Sequence, residues 1–212
     1  MDIEARPCHP SATVPARAAL GFRSHRGWAA AAVVGGSIRR PEFMLRTRVE
    51  LCEPSADLPA AVYHHARALD IERAARLVAA VRAAAIRQAF DEIARLISEA
   101  AGCGARVRTS AVLVGAMPLP DRLDAILATH ARVHAAEGEL YRDALVEGSE
   151  RHGLQTARMP ERLVWEQAGT TLGLGTEDLR RRVHELGRSL GPPWTQDEKL
   201  ATLAAWLALA RA

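Results

Sequence analysis

His130, His134, Glu137 and Tyr141 stand at i, i+4, i+7 and i+11, and at ~100° per residue an α-helix gathers them into an arc of about 60°. Two imidazoles, a carboxylate and a phenol on one face can ligate a metal or pass protons. Leu123, Ile126, Val133, Leu140 and Ala144 share the stripe, so the cluster is expected to face inward. Each buried polar group without a partner there costs roughly 1–3 kcal/mol. The same side chains can instead form a structural network in which the histidines bond backbone carbonyls. His130-x3-His134 also lacks the Glu that follows the first His in the zincin pattern.

Three smaller sets carry weaker chemistry. His64 and His65, after Tyr63 in a loop before a helix, can bring an imidazole over a site or decorate a surface. Arg23, His25 and Arg26 share a polar turn that suits a phosphate grip, although a solvated Arg turn is the commoner outcome. Gly191-Pro192-Pro193-Trp194 sets a rigid turn and a large ring before Asp197, Glu198 and Lys199. Asp197 there is at least a favourable charge for the helix dipole. Lys199 is the single lysine among 28 Lys and Arg residues. An ammonium acts as a compact point charge and can lose its proton when desolvated, so Lys199 is expected to approach Asp197 and Glu137.

The elements that must position these residues follow from periodicity and breakers. Gly27–Leu51 reads as a β-hairpin, its second half alternating Phe43, Leu45, Thr47, Val49 and Leu51 with polar residues. Asp70–Ala101 repeats apolar residues at the helical period and is closed by Gly102 and Gly104. Arg106–Gly115 is a short apolar run between breakers, expected as a buried parallel strand. Asp121–His152 is expected as one helix, Leu154–Met159 as a strand, and Pro160–Leu172, Thr176–Ser189 and Thr195 onward as three helices. The resulting order is β-β-α-β-α-β-α-α-α, a mixed α/β sheet with helices on both faces.

At 212 residues, 49% hydrophobic and 25% charged, the chain is a globular protein with one domain and a core of Ala, Leu and Val, since aromatics are only 4%. Residues 1–17 read as a disordered N-terminal tail and 18–212 as the domain. A net charge of +3 excludes a histone-like binder but permits a local basic groove. Most arginines, including Arg180, Arg181 and Arg182, are interleaved with Glu and Asp as a solvated surface. Cys8, Cys52 and Cys103 are odd in number with no CxxC spacing, and read as inert thiols of a cytoplasmic protein. No apolar run has the roughly 20 residues needed to span a bilayer.

Leu20-Gly21-Phe22-Arg23-Ser24-His25-Arg26-Gly27-Trp28-Ala29 resembles the opening of the RuvC-type Holliday-junction resolvases of the ribonuclease H-like superfamily, whose first strand reads roughly Leu-Gly-Ile-Asp-Pro-Gly. The resemblance continues colinearly through Gly138, through Met159-Pro160 before Glu161-Arg162-Leu163-Val164, and into the closing helix around Asp197. It covers most of Ala18–Ala212. It implies a ribonuclease H-like mixed sheet led by the hairpin, and nuclease chemistry on two divalent ions held by acidic residues of the first strand, the fourth strand and the last helix. The first-strand acid position is Arg23, the fourth-strand end is Gly115-Ala116-Met117, and the last helix offers only Asp197 and Glu198.

Two functions follow. The first is a divergent metal-dependent nuclease with a rearranged site: metal ligands His130, His134, Glu137 and Asp197, catalytic groups Glu137, Asp197, His134 and Lys199, and substrate contacts from Arg23, His25, Arg26 and Trp194. The ion expected is Mg²⁺ or Mn²⁺ ahead of Zn²⁺. The second is a catalytically inactive ribonuclease H-like scaffold that binds nucleic acid or a partner protein. Trp165 with Arg162 offers a stacking platform for a base. Neither reading involves a membrane, and both are compatible with a homodimer. They divide on whether the His130–Glu137 face and the Asp197 helix start share one cleft.

Overall fold

Residues 18–22 are all buried, and a strand buried on both faces shows no polar alternation. For that reason the central strand β1 (Ala16–Ser24) is missing from an order read on periodicity alone. In the computed structural model, which describes residues 16–53, 55, 57–188 and 191–211, β1 is followed by the expected hairpin, β2 (Trp28–Gly36) and β3 (Pro41–Glu50). β4 (Ala105–Val114) and β5 (Gln155–Pro160) complete a five-stranded sheet in the order β3-β2-β1-β4-β5. β1–β2 and β2–β3 are antiparallel, while β1–β4 and β4–β5 are parallel. This is the mixed α/β sheet expected. β1 takes in Ala16 and Arg17, the last two residues of the segment read as a tail, and residues 1–15 lie outside the described residues.

The helices differ from expectation in two places. Tyr63, His64 and His65 lie in a short helix, α1 (Val62–Ala66), rather than a loop. After the long α2 (Ile71–Gly102), the helix expected over Asp121–His152 is two: α3 (Leu123–Leu127) and α4 (His130–Arg151). The break falls at Thr129, whose extended backbone and side chain cap α4 by accepting from the Arg132 N–H. α5 (Val164–Leu172), α6 (Thr176–Arg188) and α7 (Gln196–Ala210) follow as expected, α5 being led in by a 3-10 turn at Glu161–Leu163. No helix among the described residues is long and apolar enough to cross a membrane. Cys103 is disulfide-bonded and Cys52 is free, so the expectation of three free thiols does not hold.

Strand parity sorts the core into two layers. Ala18, Leu20 and Phe22 of β1 pack with Val81, Ile93 and Leu96 of α2 and Leu140 and Leu145 of α4. Ala19 faces the other way, into a layer built from α5, α6 and α7 around the fully buried Trp206. α7 is buried on all sides from Leu200 to Leu209, as expected of a helix apolar all round. It lies close to β1 because Gly21 has no side chain: a Cβ there would sit 2.0 Å from the Ala201 carbonyl oxygen and 2.4 Å from the Ala205 nitrogen. The next residue of that parity is Arg23, which the strand therefore delivers to the N-terminus of α7.

Gly21→Ala is expected to lower the unfolding free energy by about 3 kcal/mol through overpacking against backbone that cannot rotate away. Gly102→Ala, where a Cβ meets nothing within 4 Å, is expected to be neutral or stabilising by up to about 1 kcal/mol. Urea denaturation of both variants checks the contrast.

Candidate functional site

β1 connects onward to β2 and β3 on one side of the sheet, and β4 to β5 on the other. The carboxyl ends of β1 and β4 therefore flank a topological switch point, where open α/β sheets present their ligand crevice. Arg23 occupies that position. Its guanidinium grips Glu161 through two bonds, Nη2 to Oε1 at 2.9 Å and Nε to Oε2 at 3.2 Å, and its Nη1 donates to Asp197 Oδ1. Each partner is delivered by a short-range device. Glu161 opens the 3-10 turn directly after β5. Asp197 sits in the first turn of α7, whose start is fixed by a capping box between Thr195 and Glu198.

His25 extends the group, with Nε2 3.1 Å from Asp197 Oδ1. Burial first, and the Arg23 charge second, hold the imidazole pKa below its ordinary value. The same Nε2 nitrogen lies 3.5 Å from Arg23 Nη1, so the imidazole sits between the guanidinium and the Asp197 carboxylate. His25 stacks on Trp28 at 4.2 Å between centroids, and the Arg48 guanidinium lies 4.0 Å from the Trp28 ring centre. Next to Glu161 is a cavity of about 470 Å³, bounded by Gly115 and Ala116 at the end of β4, by Arg162 and Trp165, and by Gln196 and Leu200 of α7. Arg180 lies 4.9 Å from the Trp165 ring centre.

This donor set does not fit the two divalent ions that the resemblance implies. A guanidinium has no lone pair to offer, and here it takes up the two carboxylates that remain at the switch point. Gly115 and Ala116 add no carboxylate at the end of β4. The positive charge between these two carboxylates is the Arg23 guanidinium.

The His130 face forms a second, separate group. α4 packs against α2 on the side of the sheet opposite α7. Its inward stripe holds Glu137 and Tyr141, both buried as expected. His130 and His134 share their angular face but are exposed: they belong to the first turns of α4, before its continuous buried stripe begins. His64 of α1 closes the group. Its ring lies 5.4 Å from that of His130 and 4.8 Å from that of His134, and the Nε2 atoms of His130 and His134 are 2.8 Å apart. Glu137 Oε1 accepts from the His64 backbone N–H at 3.1 Å and lies 3.2 Å from His64 Nδ1. The carboxylate thereby caps α1, which has no side-chain cap of its own. Desolvation, and then the neighbouring charges of His130, His64 and Arg26, hold the His134 pKa below its ordinary value. The Tyr141 hydroxyl donates to the Ala60 carbonyl at 2.9 Å, and burial pushes its pKa up.

The residues singled out from sequence thus divide. His130, His134 and Glu137 stand together, joined by His64. Asp197, expected as their fourth ligand, is instead bonded to Arg23 across the sheet. Lys199 makes no side-chain hydrogen bond or ion pair among the described residues and lies on the α7 side, so the expected approach to Asp197 and Glu137 is not seen. Arg23 and His25 are held by protein partners, and Arg26 is exposed. Trp194 packs edge-on against Phe43 at 5.3 Å and fills the space left by Gly187. Glu161 was missed as a site residue; the one signal for it is its place directly after Met159-Pro160.

No family model matches the chain, and no curated protein matches it. Among solved structures it is similar to Thermus thermophilus RuvC in complex with a Holliday junction substrate, at 12% identity and a TM-score of 0.48, covering 90% of each chain. It is also similar to a further Thermus thermophilus RuvC structure, at 13% identity and a TM-score of 0.47, covering 89% of this chain and 90% of that one.

Arg23→Met leaves Asp197 and Glu161 near one another with no counter-charge, and is expected to destabilise the fold by about 1–3 kcal/mol. Combined with Asp197→Asn it should cost less than the sum of the single changes by about 1 kcal/mol. A double-mutant cycle on denaturant midpoints measures both.

Proposed function

We propose that this chain is a ribonuclease H-like nucleic-acid-binding protein that does not cleave through an acidic two-metal centre. The observation that carries the reading is Arg23, which stands where the resemblance puts the first-strand carboxylate of such a centre and forms ion pairs with both Asp197 and Glu161. The separation of the His130–Glu137 face from Asp197 supports it further, because ligands on opposite sides of a sheet cannot meet at one ion.

Binding rests on what surrounds the switch point. Arg26, Arg48 and Arg162 are exposed, and each lies near the carboxyl ends of the strands, where guanidinium groups suit phosphate oxygens. Two indoles accompany them: Trp28, with Arg48 against it, and Trp165, which lines the cavity beside Arg162. Guanidinium groups interleaved with half-buried aromatic rings make a surface that takes a backbone by charge and bases by stacking. A net charge of only +3 keeps this attraction local.

Fluorescence anisotropy with labelled single-stranded and branched DNA tests the reading, alongside gel analysis of the same DNA in Mg²⁺ or Mn²⁺. Salt-sensitive binding without cleavage is expected. Trp165→Ala should weaken binding at least about fivefold, from the loss of stacking. Arg162→Ala should lower the slope of log affinity against log salt by about 1. Absence of binding at low salt, or cleavage that Asp197→Asn abolishes, overturns the proposal.

A further inference from the structure

We infer that His64, His130 and His134 form a binding site for a transition-metal ion of the Zn²⁺ class, with Glu137 as the residue that orients His64. One candidate ligand atom from each histidine lies within 4.8 Å of the other two. Around one Zn²⁺ with Zn–N distances of about 2.0–2.1 Å, tetrahedral ligand nitrogens stand roughly 3.3 Å apart. The 2.8 Å between the His130 and His134 nitrogens is already near that spacing, and both side chains are exposed and free to adjust by a small rotation. The inference stands independently of nucleic-acid binding, because it concerns the α4 side of the sheet.

Chance clustering of surface histidines does not account for Glu137. Its carboxylate is buried to 2% exposure, and its Oε2 has no hydrogen-bond partner among the described residues. A charge in that setting is costly unless it serves as an acceptor. What it accepts from is the His64 backbone and, at Nδ1, the His64 ring. A proton held on Nδ1 fixes the tautomer and leaves Nε2 as a lone-pair donor, the carboxylate–histidine arrangement that raises ligand basicity at metal centres. His130 and His134, one helical turn apart, supply the two ligands that a single helix face can offer.

The donor chemistry selects the ion. Three neutral imidazoles suit Zn²⁺ and its neighbours, whereas Mg²⁺ prefers carboxylates and water. This reverses the Mg²⁺ or Mn²⁺ preference expected for the site of His130, His134, Glu137 and Asp197. Three protein ligands leave a fourth position for a solvent or substrate oxygen. Because His64 comes from α1 and the others from α4, the ion would also pin these helices together.

Calorimetric titration of the metal-free full chain with ZnCl₂, and separately with MgCl₂, tests the inference. One Zn²⁺ per chain with a Kd of about 1 μM or tighter is expected, with no heat from Mg²⁺ and no displacement of Zn²⁺ by excess Mg²⁺. His130→Ala and His134→Ala remove exposed side chains and leave the fold intact, and each should weaken Zn²⁺ at least about 100-fold. Glu137→Gln, with both ligating histidines of α4 untouched, should weaken it about 10–100-fold. Co²⁺ added to the wild type should give visible absorption bands of low-symmetry coordination that the His134→Ala variant lacks. Zn²⁺ affinity unchanged in both His→Ala variants, no stoichiometric binding, or displacement by Mg²⁺ overturns the inference.

Discussion

The Arg23 guanidinium joins three parts of the chain that are far apart in sequence: the end of β1, the turn after β5 that carries Glu161, and the start of α7 that carries Asp197. A strand end, a turn and a helix N-terminus each present one fixed charge, and their mutual attraction sets how the carboxyl edge of the sheet is closed. Arg23 and both carboxylates keep some exposure to water. The pairs are therefore worth less than buried ones, and the two-pronged grip on Glu161 contributes direction as much as energy. The crevice at the switch point is in consequence shaped by these three charged groups.

Close packing makes this closure possible. α7 must lie against β1 for Asp197 to reach Arg23, and it does so because Gly21 removes the one side chain that would hold the helix away. The small residues Ala201 and Ala205 on the facing side complete the fit. An apolar helix buried on all sides cannot slide outward without exposing Leu203, Trp206 and Leu207. Hydrophobic burial of α7 thus fixes the position of a charged group at its tip.

On the other side of the sheet the organising constraint is a buried carboxylate. Glu137 lies inside the α1–α4 contact and accepts from His64, and these hydrogen bonds, which offset the cost of burying the carboxylate, tie α1 to α4. The exposed histidines follow from where α4 begins. Thr129 starts the helix one residue before His130, and the first turn stands clear of the core that buries Val133, Ala136 and Leu140. The two polar groups share one end of the sheet but not one face, which separates their chemistry.

Much of this was legible in the residues. The β2–β3 hairpin, the long α2, the apolar β4 and the three closing helices follow from local periodicity, caps and breakers, which act over a few residues. The common face of His130, His134, Glu137 and Tyr141 is likewise fixed by the helical repeat. Arg23 was readable as a departure from the acidic pattern that its stretch of sequence resembles. What local signals do not carry is long-range placement: that β1 is central, that Thr129 breaks a helix, that His64 reaches α4, and that Asp197 belongs to Arg23 rather than to Glu137. Periodicity gives the angle of a side chain about its own axis but not which side of the sheet the axis lies on, nor how far its first turn projects past the core. Those were decided by the packing of α4 and α7 on opposite faces, a consequence of crossover connections and buried apolar area that exists only in the folded chain.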